Sequence, residues 1–158
     1  LFYMWLFNNY WFTNFPASQE GELQFGFALT SHRHADDAVS AAHRFGVETC
    51  RPLAIAYRPE GQPGRLPAGQ AGLVEISPTS TMITGMTWAR QTDGVVVRLR
   101  EFDGKPTKAK VVFRAPWAVQ SAEQVNLLEE PMRPLPVKDG QVELELKPFE
   151  MVTIRLTP

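Results

Sequence analysis

The feature that most constrains this chain is a series of short segments with strand character between residues 73 and 156. The pattern of β-branched and alternating apolar residues predicts strands at 73–77, 81–88, 95–102, 108–114, 124–128, 141–146 and 151–156. Asp-Gly dipeptides at 93–94, 103–104 and 139–140 stand between them, and this dipeptide favours β-hairpin turns. Such short connections join antiparallel neighbours, so we predict an all-β fold, an antiparallel β-sandwich with one short helix.

One segment has helical periodicity, at residues 35–45. Its apolar residues recur at the spacing of one helix face: Ala38, Val39, Ala41, Ala42 and Phe45. Asp36 and Asp37 fall in the first turn, where the helix dipole favours acidic side chains. Gly46 follows the last apolar residue and predicts the end of the helix.

Two aromatic segments precede this helix. Residues 1–15 are apolar and aromatic at their start, which favours a strand buried on both faces or against a neighbour. In residues 22–31 the side chains of Leu23, Phe25, Phe27 and Leu29 alternate with others, and this alternation predicts a half-buried strand. Because the sequence starts inside a dense apolar run, we expect residues 1–158 to form a single C-terminal domain of a larger protein.

Composition argues against several classes of protein. Of 158 residues, 44% are hydrophobic and 21% charged, which is typical of a globular domain. The formal net charge of −1 and the scattered basic residues do not favour a nucleic-acid partner. Asn8 interrupts the first apolar run far short of the ~20 residues of a membrane span, so we expect no membrane partner. The single cysteine, Cys50, does not imply an oxidising compartment, and a cytoplasmic location is expected.

A metal site has one candidate motif. His32 and His34 form an H-x-H pair, and two histidines on one strand face could share a zinc ion. His43 is the only other histidine, and acidic residues nearby serve equally well as helix N-terminal charges. We therefore predict no metal site in this chain.

Two pairs of acids are the best candidates for glycoside hydrolysis, which needs two carboxylates about 5–10 Å apart. Glu129 and Glu130 are adjacent, and adjacent strand residues point to opposite faces, so they cannot act on one ligand. Glu101 and Asp103 fall at a predicted hairpin end, where we expect ordinary solvated acids. We therefore predict no catalytic residue in this chain.

The segment 8–14 combines amide side chains with aromatic rings. Sugars are bound in this way, because amides satisfy hydroxyl groups and rings stack against C–H patches. The candidate substrate-binding residues are Asn8, Asn9, Tyr10 and Trp11. The alternative stays open that the asparagines satisfy backbone groups while the aromatic side chains fill a core.

Several motifs in the same order give the chain a resemblance to a known family. Asn8-Asn9, Trp11 and Thr13-Asn14 match an N-N-x-W-x-T-N stretch, and the following strand ends at His32. Residues 94–101 are similar to a G-x-x-x-R-L-x-E strand, 126–129 to D/N-L-L-E, and 147–154 to a closing P-F-E-I-x-T strand. Together they resemble the C-terminal β region of bacterial glycoside hydrolase family 38 α-mannosidases. Arg100 departs from this pattern, which has an aromatic residue there.

The resemblance implies a parent enzyme that hydrolyses α-mannosides with retention, using zinc and an aspartate nucleophile. Both belong to an N-terminal catalytic domain that nothing in this chain matches, so no cofactor is expected in this fragment. The resemblance makes the chain an inactive accessory domain whose partners are its own catalytic domain and the mannoside substrate. It also implies that Asn8, Asn9, Tyr10 and Trp11 lie near the substrate pocket.

Two other functions remain open on the residues. A stand-alone carbohydrate-binding β-sandwich would need an exposed aromatic platform drawn from Trp88, Trp117, Tyr57 or Trp11. We expect Trp88 and Trp117 to pack in the core or at an edge instead. A purely structural domain would use its apolar N-terminal strand as an interface, and exposed strands of that kind pair into homo-oligomers.

Overall fold

The computed structural model describes residues 3–8, 14, 16–32, 38–51, 54–57, 59, 61, 69, 71–114 and 118–157. The chain forms two compact units, Leu1–Ser31 and His32–Pro158, and each is taken by itself. In the second unit one helix, α1, spans Ala38–Cys50. No helix in these described ranges is long and apolar enough to cross a membrane.

Within the described residues of the second unit, nine strands form two antiparallel sheets, which confirms the predicted sandwich. They are β1 (Val74–Ser77), β2 (Thr81–Trp88), β3 (Val95–Glu101), β4 (Thr107–Phe113), β5 (Ser121–Val125), β6 (Pro131–Leu135), β7 (Val137–Lys138), β8 (Gln141–Leu146) and β9 (Met151–Thr157). The strand order is β1-β4-β8-β7 in the smaller sheet and β2-β3-β9-β5-β6 in the larger. Six of the seven strands predicted between residues 73 and 156 form within one residue of their predicted bounds, whereas the strand predicted at 124–128 overlaps β5 at residues 124 and 125 alone.

The hydrophobic core lies between the two sheets. Alternate residues of each strand point inward, so Val95, Val97 and Leu99 of β3 face Ala109 and other core residues of the smaller sheet. Most outward residues of β4 and β8 are charged instead, and Lys108 forms an ion pair with Glu143 at 3.0 Å. The alternation in the sequence therefore identified the core face correctly.

Strands β6 and β7 were not predicted. Pro131 and Pro134 argue against a strand, because proline cannot donate to a ladder hydrogen bond. β6 is the edge strand of the larger sheet and pairs with β5 alone, so its outer side needs no donors. β7 has two residues and is too short to give a pattern.

The Asp-Gly dipeptides behave in two ways. Asp139 and Gly140 both have positive φ angles, 51° and 69°, and close the β7–β8 hairpin as predicted. Asp93-Gly94 lies in the β2–β3 hairpin, where Gly94 has φ 134°. The prediction of a hairpin at Asp103-Gly104 was wrong, because this dipeptide carries the chain from β3 in one sheet to β4 in the other.

The helix forms where its pattern predicts, but it extends further. Gly46 does not end α1, which continues to Cys50, because a glycine inside a helix costs only about 1 kcal/mol relative to alanine. The predicted first residues of the helix, including Asp36 and Asp37, lie outside the described residues.

The first unit departs from its predicted strands. Residues 22–31 form no strand, and Leu23, Phe25, Phe27 and Leu29 are all exposed. Residues 3–8 also form no strand, while most of residues 9–15 lies outside the description. Alternation marks a face, but a strand also needs a neighbour for its backbone hydrogen bonds and for cover of its apolar side.

Candidate functional site

The predicted sugar-binding segment is described only at its first residue. Asn8 is exposed in the first unit, whereas Asn9, Tyr10 and Trp11 lie outside the described residues. Just before it, the indole N–H of Trp5 donates to the carbonyl of Phe7 (3.1 Å), and the Phe7 ring stacks on Phe25 with centroids 6.1 Å apart. Trp5 remains 82% exposed. The first unit therefore presents aromatic rings to solvent beside Asn8.

The histidines do not assemble into a metal site among the described residues. His32 is exposed and His34 lies outside the description. His43 on α1 stacks on the ring of Phe102 with centroids 3.7 Å apart, and the Arg100 guanidinium lies 5.2 Å from the same ring. Across the described ranges, no group of three or more His, Cys, Asp or Glu side chains could hold a metal ion.

The carboxylate of Glu101 is the most enclosed ionisable group of the sandwich. Its side chain points to the core face at the end of β3, next to Leu99 along that face, and it has no exposed surface. Its Oε1 accepts the backbone N–H of Asp103 (2.8 Å), and its Oε2 accepts those of Gly104 (2.8 Å) and Phe149 (3.0 Å). The expectation of an ordinary solvated acid at a hairpin end was therefore wrong for Glu101.

The hydrogen bonds decide the charge of this carboxylate. Burial by itself raises the pKa of Glu101, because a charged group loses its hydration. The backbone N–H groups of Phe149, Asp103, Gly104 and Lys105 favour the charged form and hold the pKa below its ordinary value. Glu101 is thus a buried anion, and its oxygens are engaged by backbone donors.

Two of the sequence motifs meet at this carboxylate. Glu101 ends the R-L-x-E strand, and Phe149 lies in the P-F-E turn between β8 and β9. The N–H of Glu150 donates to the carbonyl of Lys147 (3.0 Å) and closes the turn. The carbonyl of Glu150 accepts the N–H of Glu101 (3.0 Å) and links the turn to β3. The Glu101 carboxylate and these backbone groups therefore join the strand to the turn.

The second acidic pair also serves the backbone. Glu129 and Glu130 lie in the β5–β6 turn, because β5 ends at Val125 and not at residue 128. Glu129 Oε2 accepts the N–H of Arg90 (2.8 Å), whereas Glu130 Oε2 accepts the side-chain amide of Asn126 (2.6 Å). Glu129 has φ 68°, an unusual value for a residue with a side chain. The two carboxylates have separate hydrogen-bond partners, but both line one cleft. Because they lie in a turn and not on a strand, the expectation that they point to opposite faces does not apply.

Asn126 and Arg155 build this turn, and sequence reasoning missed both roles. Asn126 Oδ1 accepts the N–H groups of Leu128 (2.9 Å) and Glu130 (3.0 Å). The nearly buried Arg155 of β9 donates to Oε1 of Glu123 through Nε (2.9 Å) and Nη2 (2.6 Å). Its Nη1 also reaches the carbonyl of Glu129 (3.2 Å). An Asx turn before two leucines was the one signal available in the sequence.

This turn exposes two apolar side chains to solvent. Leu127 and Leu128 are 67% and 76% exposed, although hydrogen bonds fix the backbone on both sides of them. Trp88 at the end of β2, an edge strand of the larger sheet, is 72% exposed, so it does not pack in the core. Trp117 lies outside the described residues, and Tyr57 is exposed.

Two of the clefts on the described part of the sandwich are lined mainly by polar and charged residues. A cleft of about 540 Å³ is lined by Pro106, Thr107, Lys108, Arg133, Glu145, Leu146, Lys147, Pro148 and Glu150. These lining residues include no aromatic ring on which a sugar could stack. Glu150 accepts the N–H of Lys147 (2.7 Å), so its carboxylate is engaged. A second cleft of about 490 Å³ lies between the Arg90 loop and the β5–β6 turn.

Comparison with known proteins gives one family. Residues 80–154 match the family model described as "Glycosyl hydrolases family 38 C-terminal beta sandwich domain". The match begins just before β2 and ends within β9, so it includes Glu101, the β5–β6 turn and the P-F-E turn. No curated protein matches the chain.

Proposed function

Because residues 80–154 form a C-terminal beta sandwich domain of glycosyl hydrolases family 38, we propose that the chain is the accessory domain of a retaining, zinc-dependent α-mannosidase. The domain match carries the accessory role in a family 38 enzyme. The mannoside specificity, the zinc and the retaining mechanism rest on the motif resemblance and are part of the proposal. In this account the nucleophile and the zinc ligands belong to the catalytic part of the parent enzyme.

The use of the acidic side chains supports a non-catalytic role. Glu101 is buried among backbone donors, and Glu129 and Glu130 bind different partners. A glycosidase pair must instead face one sugar from two sides across a gap of about 5–10 Å. Glu101 has no exposed surface with which to face a sugar. Glu129 and Glu130 both line the cleft of about 490 Å³, but each is hydrogen-bonded to a different protein group.

The exposed apolar side chains support a docking role for the sandwich. Leu127 and Leu128 are held in water by a turn whose backbone is hydrogen-bonded by Asn126. Exposed apolar groups rimmed by polar residues mark protein interfaces. We propose that the catalytic part of the parent enzyme is the partner, and that Asn8, Asn9, Tyr10 and Trp11 border its mannoside pocket.

Turnover of the parent enzyme tests this division of roles. The substitutions Glu101→Gln, Glu129→Gln and Glu130→Gln should leave kcat per folded molecule within about threefold, because these groups touch no reacting atom. Loss of a catalytic carboxylate costs orders of magnitude in kcat. A loss of about 1,000-fold in a variant that unfolds like the wild type would reject the accessory role.

The pocket-rim residues have a separate test. Asn8→Ala should raise KM for an aryl α-mannoside, with kcat little changed, since a binding contact outside the reacting centre acts on ground and transition state alike. Gln24→Ala is the matched control, because Gln24 is an exposed amide of the same unit outside the motif. An equal effect of both substitutions would remove Asn8 from the rim.

A stand-alone carbohydrate-binding module is a second candidate, and the exposed rings of the first unit favour it. Tyr3 and Trp5 are more than four-fifths exposed, and Phe7 stacks on Phe25 with the rings 6° from parallel. Calorimetry of the chain with mannosides decides between the two functions. Under the accessory proposal the titration gives no heat, whereas saturable binding that Trp5→Ala abolishes favours the module.

A further inference from the structure

The donors around Glu101 come from two separate parts of the chain. Asp103 and Gly104 follow β3, whereas Phe149 lies in the turn before β9, and their N–H groups converge on one carboxylate. Gly104 and Phe149 both have positive φ angles, 69° and 59°. Successive backbone N–H groups that turn inward in this way form an anion-binding concavity, known as a nest.

We propose that residues 103–105 and Phe149 form a carboxylate-binding nest, that Glu101 is its resident ligand, and that the nest binds a free small carboxylate when the Glu101 side chain is shortened. Glu101 is then a positioning residue that holds the R-L-x-E strand and the P-F-E turn together through its charge. The R-L-x-E strand supplies the anion, and the P-F-E turn supplies part of the receptor that binds it.

The donor geometry selects a carboxylate over other anions. Oε1 and Oε2 each accept at least one N–H, so the receptor presents donors to two oxygen positions on one planar group. A glutamine in the same place would offer one oxygen and would turn an NH₂ group toward a backbone N–H. Chloride has a single centre and cannot reach both positions with hydrogen-bond geometry.

The receptor half is supported by contacts that do not depend on the Glu101 side chain. The turn at 147–150 is closed by the N–H of Glu150 on the Lys147 carbonyl and by Glu150 Oε2 on the Lys147 N–H. The Phe149 ring lies against Gly104, where an added Cβ would come within 2.5 Å of it. Part of the nest therefore persists after the carboxylate is removed.

Rescue of Glu101→Ala by formate tests the proposal in the full chain. We expect this variant to have a lowered Tm, and the Tm to rise with the logarithm of formate concentration, as mass action requires for a ligand of the native state. The amide resonances of Asp103, Gly104 and Phe149 should shift with the same saturation curve. Chloride at equal ionic strength should do neither, and wild type and Glu101→Gln should not respond to formate.

Any one of the following outcomes would overturn the proposal. If formate raises the Tm of Glu101→Ala no more than chloride does, or raises that of the wild type equally, there is no specific site. If Glu101→Ala is unfolded without anion, formate must restore its folded spectrum, and failure to do so rejects the nest. Glu101→Asp gives an independent check, because it keeps the charge and should retain more stability than Glu101→Gln; the reverse order contradicts recognition of a carboxylate.

Discussion

Replacing Arg155 with methionine removes the central donor of the larger sheet's outer face. The guanidinium donates twice to Glu123 and once to the carbonyl of Glu129, and only 10% of the side chain is exposed. Methionine keeps an apolar stem of similar length but provides no donor. The substitution leaves the Glu123 carboxylate without its cation and the Glu129 carbonyl without this hydrogen bond.

The expected loss follows from the burial of the two partners. Breaking a buried ion pair by removing one member costs about 3–5 kcal/mol. The Glu123 side chain is 30% exposed, so hydration offsets part of the cost of leaving its carboxylate without a cation. We therefore expect Arg155→Met to lower the free energy of unfolding by about 2–3 kcal/mol. Adding Glu123→Gln should recover about 1 kcal/mol, because the unpaired charge is then gone.

Urea unfolding followed by circular dichroism measures this loss. With a slope of about 2 kcal/mol/M, the midpoint should fall by about 1–1.5 M without a change in slope. Arg133→Met is the matched control, since its Nε donates to the neutral side chain of Gln124 (2.7 Å) at an exposed position. We expect the control to change stability by less than about 0.5 kcal/mol. Equal shifts of the two midpoints would refute the structural role of Arg155.

Three further outcomes follow from the sandwich. Gly94→Ala should lower the free energy of unfolding by more than about 1 kcal/mol, because φ is 134° and the new Cβ would lie 2.3 Å from the Leu156 carbonyl oxygen. Thermal unfolding measures this loss, and Gly85→Ala, with open space around it, is the control. The lowered pKa of Glu101 contributes stability that is complete above its ordinary pKa and is lost as pH falls through the lower folded value, so acid unfolding of wild type should be steeper than that of Glu101→Gln. Replacing both Leu127 and Leu128 with serine should change the free energy of unfolding in urea by less than about 0.5 kcal/mol. A larger loss would mean that these side chains pack in the folded chain.

The sequence predicted the sandwich well because alternation records which face of a strand is buried. Strand β2 begins and ends at the predicted residues, and so does β8. Alternation does not record which neighbour a strand has. Residues 22–31 alternate as clearly as any strand of the sandwich, yet they form none, whereas β6 forms against the preference of its prolines because it lies at an edge.

The candidate site was harder to predict, since its contacts join residues far apart in the chain. Alternation from Val95 through Val97 and Leu99 places Glu101 on the core face, and the expectation of a solvated acid overlooked this signal. It could not reveal the donor at Phe149, 48 residues away. The partners of Arg155 are similarly separated, 26 and 32 residues along the chain, and no local pattern contains them.

We propose that the acids of this sandwich organise the backbone and take no part in catalysis. Hydrolysis of an aryl α-mannoside by the purified chain, with and without added zinc, tests it most directly. The account predicts no turnover above that of buffer in either condition. Saturable turnover that Glu101→Gln or Glu129→Gln abolishes in a folded chain would contradict it.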